Sequence, residues 1–311
     1  MRPTLDIIIV NFNAGEALLN CLSSIPAALD PSFSLNSVVV VDNASSDGSL
    51  EPLDQLDLPL TFLRNQKNMG FGAACMQGAC AGSSDYLLFL NPDTLLSADS
   101  LKAPLSVFLD GKHPDVGLCS IRLVDEHGDT QRSCARFPTP LHFILRAFYI
   151  GRLFPGPKTT HFMLEWDHAQ TREVDHLMGA FLMTPRSLFL ALGGFDPRFI
   201  VYLEDMDLSL RAHQRGYKSL FLAEATAFHK GGGTSEKVKP LRLFFSLQSR
   251  IRYAYKHFSR PAAIAVAFFA LVPEFITRLL FALVRLKPGE ALQTIKGYGR
   301  LYAWCLGRQK A

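Results

Sequence analysis

VVVVDNASSDGS (residues 38–49) decides the fold: four valines run straight into an aspartate and an asparagine, and a serine-rich turn follows. An unbroken β-branched run fits a strand buried on both faces, as in parallel sheets. Open α/β sheets bind their ligands in the crevice beyond the carboxyl ends of such strands. YLLFLNPDT (86–94) repeats the design, its apolar run stopping at Asn91 and Asp93, and DIIIV (6–10) leads likewise into Asn11. Strands are expected at 6–10, 37–41, 60–64 and 86–90, and helices at 15–29 and 70–81. Parallel strands need crossover connections, so this order gives an α/β fold with a mostly parallel central sheet and helices on both faces.

With 311 residues, 48% of them hydrophobic, the chain can bury a large core, which excludes a disordered protein. Cys21, Cys75, Cys80, Cys119, Cys134 and Cys305 show no C-x-x-C pair, which points to reduced thiols and a cytoplasmic setting. MRPTLDIIIVNFN has one basic residue and a short apolar run, so it reads as a first strand rather than a signal peptide. Residues 151–172, rich in turn formers, are expected to form a long surface loop of the kind that covers clefts.

Charge divides the chain. Residues 1–235 carry 18 Lys and Arg against 25 Asp and Glu, a net −7, whereas residues 236–311 carry 14 against 3, a net +11. The first stretch reads as a catalytic domain, the second as a basic, apolar helical region. Its cations are interleaved with apolar residues, which favours a membrane surface over nucleic acid. The uninterrupted apolar run 261–273 has 13 residues. At roughly 1.5 Å per residue it reaches about 20 Å, short of a hydrocarbon core of about 30 Å. Extending it to residue 284 takes in Glu274 and Arg278, both costly in lipid, so helices lying in the interface or packed on the catalytic domain are expected rather than a span.

The polar strand ends suggest chemistry. Asp42 can accept a hydrogen bond from a pyrimidine imide or a ribose hydroxyl, or it can close a turn with Asn43. Phe12 offers a face for a base to stack on, although an isolated phenylalanine equally serves a core. In RNQKNMGFGAA (64–74), Gly70 and Gly72 allow close backbone approach, and a helix starting near Gly70 would direct N–H groups at a diphosphate. Arg64, Lys67 and Asn68 are polar groups beside it. Asp93 suits a divalent cation on a nucleotide diphosphate, which needs few protein ligands because phosphates and waters complete its shell, and Asn91 can bond ribose or metal-bound water. Asn-Pro-Asp also makes a turn, here into a helix from Ser97. YLEDMDLSLRAHQRGY (202–217) reads as a helix whose first turn holds Glu204, Asp205 and Asp207, suited to the helix dipole in any case; Asp205 can also deprotonate an attacking hydroxyl. His229 precedes three glycines, where an imidazole can ligate a metal or contact phosphate.

Taken in order, IIIVNFNA, VVVVDNASSDGS, RNQKNMGFGAA, LLFLNPDT, DHLMGAFLMTPR, GGFDPRFIVYLEDMDLSLRAHQRGY and FHKGGGTS resemble family 2 glycosyltransferases of the GT-A fold, particularly bacterial rhamnosyltransferase-like members, over residues 5 to about 235. The resemblance implies inverting transfer from a nucleoside-diphosphate sugar, with dTDP-L-rhamnose favoured, to a saccharide or polyprenyl-diphosphate-linked saccharide in cell-surface polysaccharide synthesis. The basic, apolar tail suggests a peripheral place on the cytoplasmic face of the inner membrane, beside a lipid-linked acceptor. The resemblance also implies that Asn11, Phe12, Asn13, Asp42, Asn43, Asn68, Gly70, Gly72, Asn91 and Asp93 hold the donor, and that Asp93 and His229 bind Mg²⁺ or Mn²⁺. Asp205 of the Glu204-Asp205 pair would be the catalytic base, with Gly179, Ala180 and Glu204 on the acceptor side. The family's Asp-x-Asp is Asn91-Pro92-Asp93 here, one carboxylate fewer, and Phe12 stands for a frequent tyrosine. The Q-x-x-R-W signature of processive synthases is absent, which implies one or a few sugars added per acceptor. The alternatives are a polyprenyl-phosphate sugar transferase, or an inactive nucleotide-binding scaffold, which would be expected to have lost Asp93, the acidic pair or His229.

Overall fold

The computed structural model describes residues 2–51, 53, 56–231 and 239–308. In chain order its elements are β1 (Thr4–Asn11), α1 (Glu16–Ser24), β2 (Ser34–Asp42), β3 (Leu60–Arg64), α2 (Phe71–Ala81), β4 (Tyr86–Leu90), β5 (Thr94–Leu96), α3 (Lys102–Leu109), β6 (Val116–Val124) and β7 (Cys134–Ala135). Then come α4 (Pro140–Arg146), α5 (Ile150–Leu153), β8 (Arg172–Val174), β9 (His176–Leu177), β10 (Phe181–Pro185), α6 (Arg186–Ala191), α7 (Glu204–Gln214), β11 (Lys218–His229), α8 (Lys239–His257), α9 (Arg260–Leu271), α10 (Pro273–Val284) and α11 (Pro288–Cys305). They form two compact units. The first comprises Met1–Ala135, Trp166–Pro197 and Glu204–Thr234; the second comprises Arg136–Glu165, Arg198–Leu203 and Ser235–Ala311.

The first unit is built on one sheet in the order β3-β2-β1-β4-β10-β6-β11-β5, with β8 added on β11. The strands β3, β2, β1 and β4 are parallel, as the buried apolar runs of β2, β1 and β4 suggest, and β10 enters antiparallel between β4 and β6. Side chains alternate across the sheet. Ile7, Ile9, Val38 and Val40 pack with Leu18, Cys21 and Leu22 of α1 on one face. On the other, α2 lies so close that a Cβ at Gly78 would come within 2.5 Å of Ile8 Cγ2 and 3.3 Å of Val41 Cγ2. Its glycines and alanines are what permit that approach.

Register then fixes where the polar residues emerge. Asn11 pairs with Asp42 across β1 and β2, and Ile9 pairs with Leu90 across β1 and β4. The carboxyl ends of these strands therefore lie side by side, with Asn91 and Asp93 just beyond β4. At the amino-terminal end, buried Asp6 is clamped by Arg186 Nη2 at 2.5 Å and Asn36 Nδ2 at 2.9 Å, a structural pair.

In the second unit, Phe244, Leu247, Ile251, Ala267, Ala270, Tyr298 and Leu301 form a core from α8, α9 and α11. Glu274 is fully buried, bonded to Arg250 Nη1 at 2.6 Å and Arg278 Nη2 at 2.8 Å. Burial pushes this carboxyl up, but the two guanidiniums outweigh it and hold the group at about 2. The residues that looked costly in lipid are thus neutralised inside the protein.

Several expectations change. The helix expected over 15–29 ends at Ser24 and tightens into a 3₁₀ turn over Ile25–Ala28, where Pro26 lacks the N–H that an α-helix needs. Instead of a helix from Ser97, the chain past Asp93 forms β5 on β11, and α3 begins at Lys102. Residues 151–172 are not a plain surface loop: Thr160, His161, Met163 and His168 are buried, and the boundary between the units falls within it, after Glu165. The units do not follow a single cut in sequence, because 136–165 and 198–203 group with the carboxyl-terminal helices. A cut at 235/236, and Gly232 and Gly233 of the glycine run, lie outside the described residues.

Candidate active site

Asn11, at the end of β1, is fully buried. Its Nδ2 lies within hydrogen-bond reach of Asp42 Oδ1 (2.8 Å), Ser45 Oγ (3.1 Å) and Ser49 Oγ (2.8 Å). Asp42 Oδ2 accepts from the Ser45 main chain at 3.1 Å. Asn13 is held at φ 52, with its Oδ1 accepting from Ser46 N at 2.8 Å, a conformation asparagine tolerates. The loop after β2 is thereby folded back on the loop after β1. Asn11, expected to touch the donor, has no exposed surface and bonds Asp42, whereas Phe12 is 38% exposed.

Asn43 ties this loop to the next. Its side chain donates to the Gly70 carbonyl at 3.2 Å and accepts from Asn65 at 2.9 Å. Gly70, at φ 86, makes the turn into α2, a conformation that suits glycine alone, and Asn68 Oδ1 accepts its N–H at 2.9 Å. Gly72 is buried within the first turn of α2. The α2 amino terminus thus lies beside the β2 loop, while Asn68 is engaged with its own turn.

Beyond β4 the structure gathers Asn91, Asp93 and His229. The β11–β5 ladder pairs His229 with Thr94, which sets its Nε2 3.4 Å from Asp93 Oδ1 and 3.3 Å from Asn91 Nδ2. Gln131, a residue the sequence did not mark, orients the ring: its Oε1 lies 2.7 Å from Nδ1, and its Nε2 donates to the His229 carbonyl at 2.5 Å. Because the amide nitrogen faces that carbonyl, the amide oxygen faces Nδ1 and requires an N–H there, so the Nε2 of this tautomer is the acceptor, met by the Asn91 amide beside the Asp93 carboxylate. An imidazole nitrogen and a carboxylate oxygen form a donor pair that fits Mg²⁺ or Mn²⁺. Among the described residues no group of three or more His, Cys, Asp and Glu converges, so a cation here would complete its shell with phosphate and water oxygens.

The third component opens α7. Asp205 Oδ2 accepts from Gly179 N at 2.9 Å and Oδ1 from Met206 N at 2.8 Å. Asn91 N donates to the Ala180 carbonyl at 2.9 Å, so the Gly179-Ala180 segment joins the β4 tip to the α7 carboxylate. Tyr202 and Leu203 enter the helix at φ 69 and 66, a strained run for residues with side chains, of a kind concentrated at functional sites. Glu204 is buried, and its Oε2 has no hydrogen-bond partner. Burial, then the charges of Asp205 and Asp207, push its carboxyl well above the usual range. Glu204, expected on the acceptor side, is thus a buried carboxyl that holds its proton more tightly than an exposed glutamate does. Asp207 is paired with Arg211 at 2.8 Å. His176 and Ser209, also unmarked by the sequence, lie against Asp205.

A sheet that delivers carboxylates, amides and a histidine to one end, with an acidic helix start joined to the same end, defines the GT-A class of glycosyltransferases. Residues 6–176, more than half of the chain, match the Glycosyl transferase family 2 model, and the protein belongs to that family. It is 28% identical over 241 residues to an N-acetylglucosaminyl-diphospho-decaprenol L-rhamnosyltransferase of Mycobacterium tuberculosis (strain CDC 1551 / Oshkosh), covering 74% of this chain and 76% of that one. It is 28% identical over 170 residues to the rhamnosyltransferase WbbL of Escherichia coli (strain K12), covering 54% and 61%. In fold it is similar to the mannosyltransferase PcManGT from Pyrobaculum calidifontis, solved with GDP-Man and Mn²⁺, at a TM-score of 0.54 and 18% identity, covering 99% and 87% of the two chains.

Proposed function

We propose that this glycosyltransferase moves one sugar, with inversion at the anomeric carbon, from a nucleoside-diphosphate sugar to a hydroxyl of a lipid-linked saccharide in cell-surface polysaccharide synthesis. The observation that carries the reading is the hydrogen-bonded path from Asn91 through Ala180 and Gly179 to Asp205, which gives the diphosphate side and the base side of the site a common frame. Phe12 and Asp42 receive the base and ribose, and the α2 amino terminus faces the diphosphate. Asp205 takes the proton of the acceptor hydroxyl as that oxygen attacks the anomeric carbon from the face opposite the diphosphate. Asp93 and His229 would hold a divalent cation, which when bound offsets the charge that gathers on the departing diphosphate. The relatives named as rhamnosyltransferases favour dTDP-L-rhamnose as donor.

The second unit supports attachment to the cytoplasmic face of the inner membrane. Ile264, Phe268, Val272, Ile276 and Leu280 recur at every fourth residue along α9 and α10, each between 43% and 55% exposed, and Arg260, Arg285 and Lys287 flank them. The opposite side of the same helices buries Ala263, Val266, Ala267, Ala270 and Ala282. By length and composition Arg260–Val284 is long and apolar enough to cross a membrane, but the buried alanines on one side and an apolar ridge with basic ends on the other suit lying in the interface of an anionic lipid surface.

The test is transfer from a panel of nucleotide sugars to polyprenyl-diphosphoryl N-acetylglucosamine with Mg²⁺ or Mn²⁺, with the product linkage read by NMR. Transfer from dTDP-L-rhamnose with inverted configuration is expected. A retained configuration, or a sugar joined to the lipid through phosphate, would overturn the reading.

A further inference from the structure

Arg146, the last residue of α4, keeps an exposed surface, and among the described residues its side chain makes no hydrogen bond or ion pair. The charges that act on it are Arg250, Glu274 and Arg278, all of the second unit. Glu274 is already committed to the other two. Arg250 meets it through Nη1 at 2.6 Å and Nη2 at 3.2 Å, and Arg278 through Nε at 3.1 Å and Nη2 at 2.8 Å. Three guanidiniums thus gather around one carboxylate, an excess of two positive charges. The unit's other described carboxylates are engaged elsewhere, Glu165 with Arg136 and Glu290 with Lys287. Among the described residues of the unit, no acidic side chain is left to balance Arg146. A positive excess held among packed side chains favours an anion that neutralises it.

Tyr149 connects the two arginines at the edge of this cluster. Its N–H donates to the Arg146 carbonyl at 3.1 Å, and the Arg278 guanidinium lies 5.7 Å from its ring centroid. Arg278 Nη1 takes no part in the pairing with Glu274, and its side chain is 24% exposed. The chain that follows Arg146 is apolar and open to solvent, with Phe148, Leu153 and Phe154 all exposed. It packs on α9 through Phe148 against Phe269, and on α10 through Tyr149 against Phe281. Unpaired guanidinium groups and a hydrocarbon-accepting surface therefore occur on one short segment.

We propose that Arg146, with Nη1 of Arg278, binds the diphosphate of the lipid-linked acceptor, whose first isoprene units lie on Phe148, Leu153 and Phe154. This rests on the acceptor being lipid-linked. Guanidinium groups grip phosphate oxygens in pairs, which a lysine ammonium does not. The charge count selects among anionic lipids. A diphosphate esterified at both ends carries two negative charges at neutral pH and matches the excess of two, whereas a phosphatidylglycerol headgroup carries one. The site holds the acceptor and breaks no bond.

The experiment compares the full chain with its Arg146→Gln, Arg146→Lys and Arg152→Gln variants. Arg152, exposed on α5, serves as a control for diffuse charge. Co-sedimentation is measured with phosphatidylcholine vesicles carrying either polyprenyl-diphosphoryl N-acetylglucosamine or phosphatidylglycerol at equal charge. The wild type should bind the diphosphoryl vesicles more tightly. Arg146→Gln should lose roughly 10- to 10²-fold of that affinity, Arg146→Lys part of it, and Arg152→Gln little. In the transfer assay, the kcat/KM preference of Arg146→Gln for the lipid acceptor over octyl N-acetylglucosaminide should fall by a similar factor. Arg146→Gln with wild-type binding to the diphosphoryl vesicles, or with equal losses on both vesicles, overturns the inference. So does an equal loss in Arg152→Gln, or inorganic pyrophosphate binding the wild type as tightly as the lipid does. Should Arg146→Gln fail to fold, Arg146→Lys and the two vesicle types still decide. A wild type that transfers sugar only to the octyl glycoside would overturn the lipid-linked acceptor itself; full preference for the lipid acceptor in Arg146→Gln would overturn only this site.

Discussion

Gly179 donates its main-chain N–H to Asp205 Oδ2 at 2.9 Å, across 26 residues of sequence. With Met206 N on Oδ1, both carboxylate oxygens are fixed and the group cannot turn freely. Ala180, the next residue, accepts the Asn91 amide, so one short segment bonds both the Asp205 carboxylate and the β4 tip. Preorganisation of this kind is worth much in a displacement, where small misplacements of a reacting group are costly.

Asparagine at position 205 can keep one of the two backbone hydrogen bonds through its oxygen, and its amide nitrogen can neither accept the other nor take a proton. Asp205→Asn is expected to lower kcat by roughly 10²- to 10⁴-fold while donor affinity, measured by calorimetry with the nucleotide sugar, changes little. Near-normal turnover would release Asp205 from the role.

Asp93 and His229 converge from β4 and β11, and Gln131 orders the imidazole. Asp93→Asn and His229→Ala are each expected to weaken Mn²⁺ binding in the presence of dTDP, read by electron paramagnetic resonance. Loss of the orienting partner in Gln131→Ala should weaken it by roughly 10- to 10²-fold. Sugar transfer that continues undiminished in excess chelator would refute the metal assignment.

Glu204 bears on stability against pH. Its folded-state carboxyl lies well above the ordinary 4.5, so the folded chain keeps a proton that the unfolded chain releases as pH rises past that value. Its contribution is complete below the unfolded value and is lost as pH climbs toward the folded one. Glu204→Gln removes the titration, so the variant should gain stability at pH 7 relative to pH 4. The gain in Tm would be roughly 2–4 °C for each ~1 kcal/mol recovered. A thermal scan in which wild type and variant follow the same pH curve would contradict the upward shift of the buried carboxyl.

What the sequence conveyed follows from how local each signal is. The runs ending at Asn11, Asp42 and Asn91 could be read because buried parallel strands are continuous apolar stretches and their ends are marked by the first polar residue. The start of α7 was legible for a related reason, since acidic residues collect at helix amino termini. Gln131 was not, because it meets His229 across 98 residues through a ladder only the folded sheet creates. His176 was hidden differently: its partner Ser209 is 33 residues away, and a lone histidine in an apolar stretch carries no local mark of function. The grouping of 136–165 with the carboxyl-terminal helices was likewise invisible, since it depends on long-range packing such as Phe143 against Tyr253 and Phe258.

The apolar ridge of α9 and α10 yields a prediction independent of catalysis. Phe268 and Leu280 are 52% and 55% exposed, so aspartate at either position replaces no core contact and the fold should tolerate it. In an interface, the same change forfeits buried apolar area and sets a negative charge against anionic lipid. Each ~1.4 kcal/mol lost is a tenfold drop in affinity, so Phe268→Asp with Leu280→Asp should weaken binding to phosphatidylglycerol vesicles by roughly 10²-fold. Arg285→Glu should add a loss that shrinks as salt is raised, because screening removes the electrostatic part but not the apolar part. Vesicle co-sedimentation reads both. Unchanged sedimentation of the double variant, with an unchanged circular dichroism spectrum, would show that the ridge does not meet the membrane.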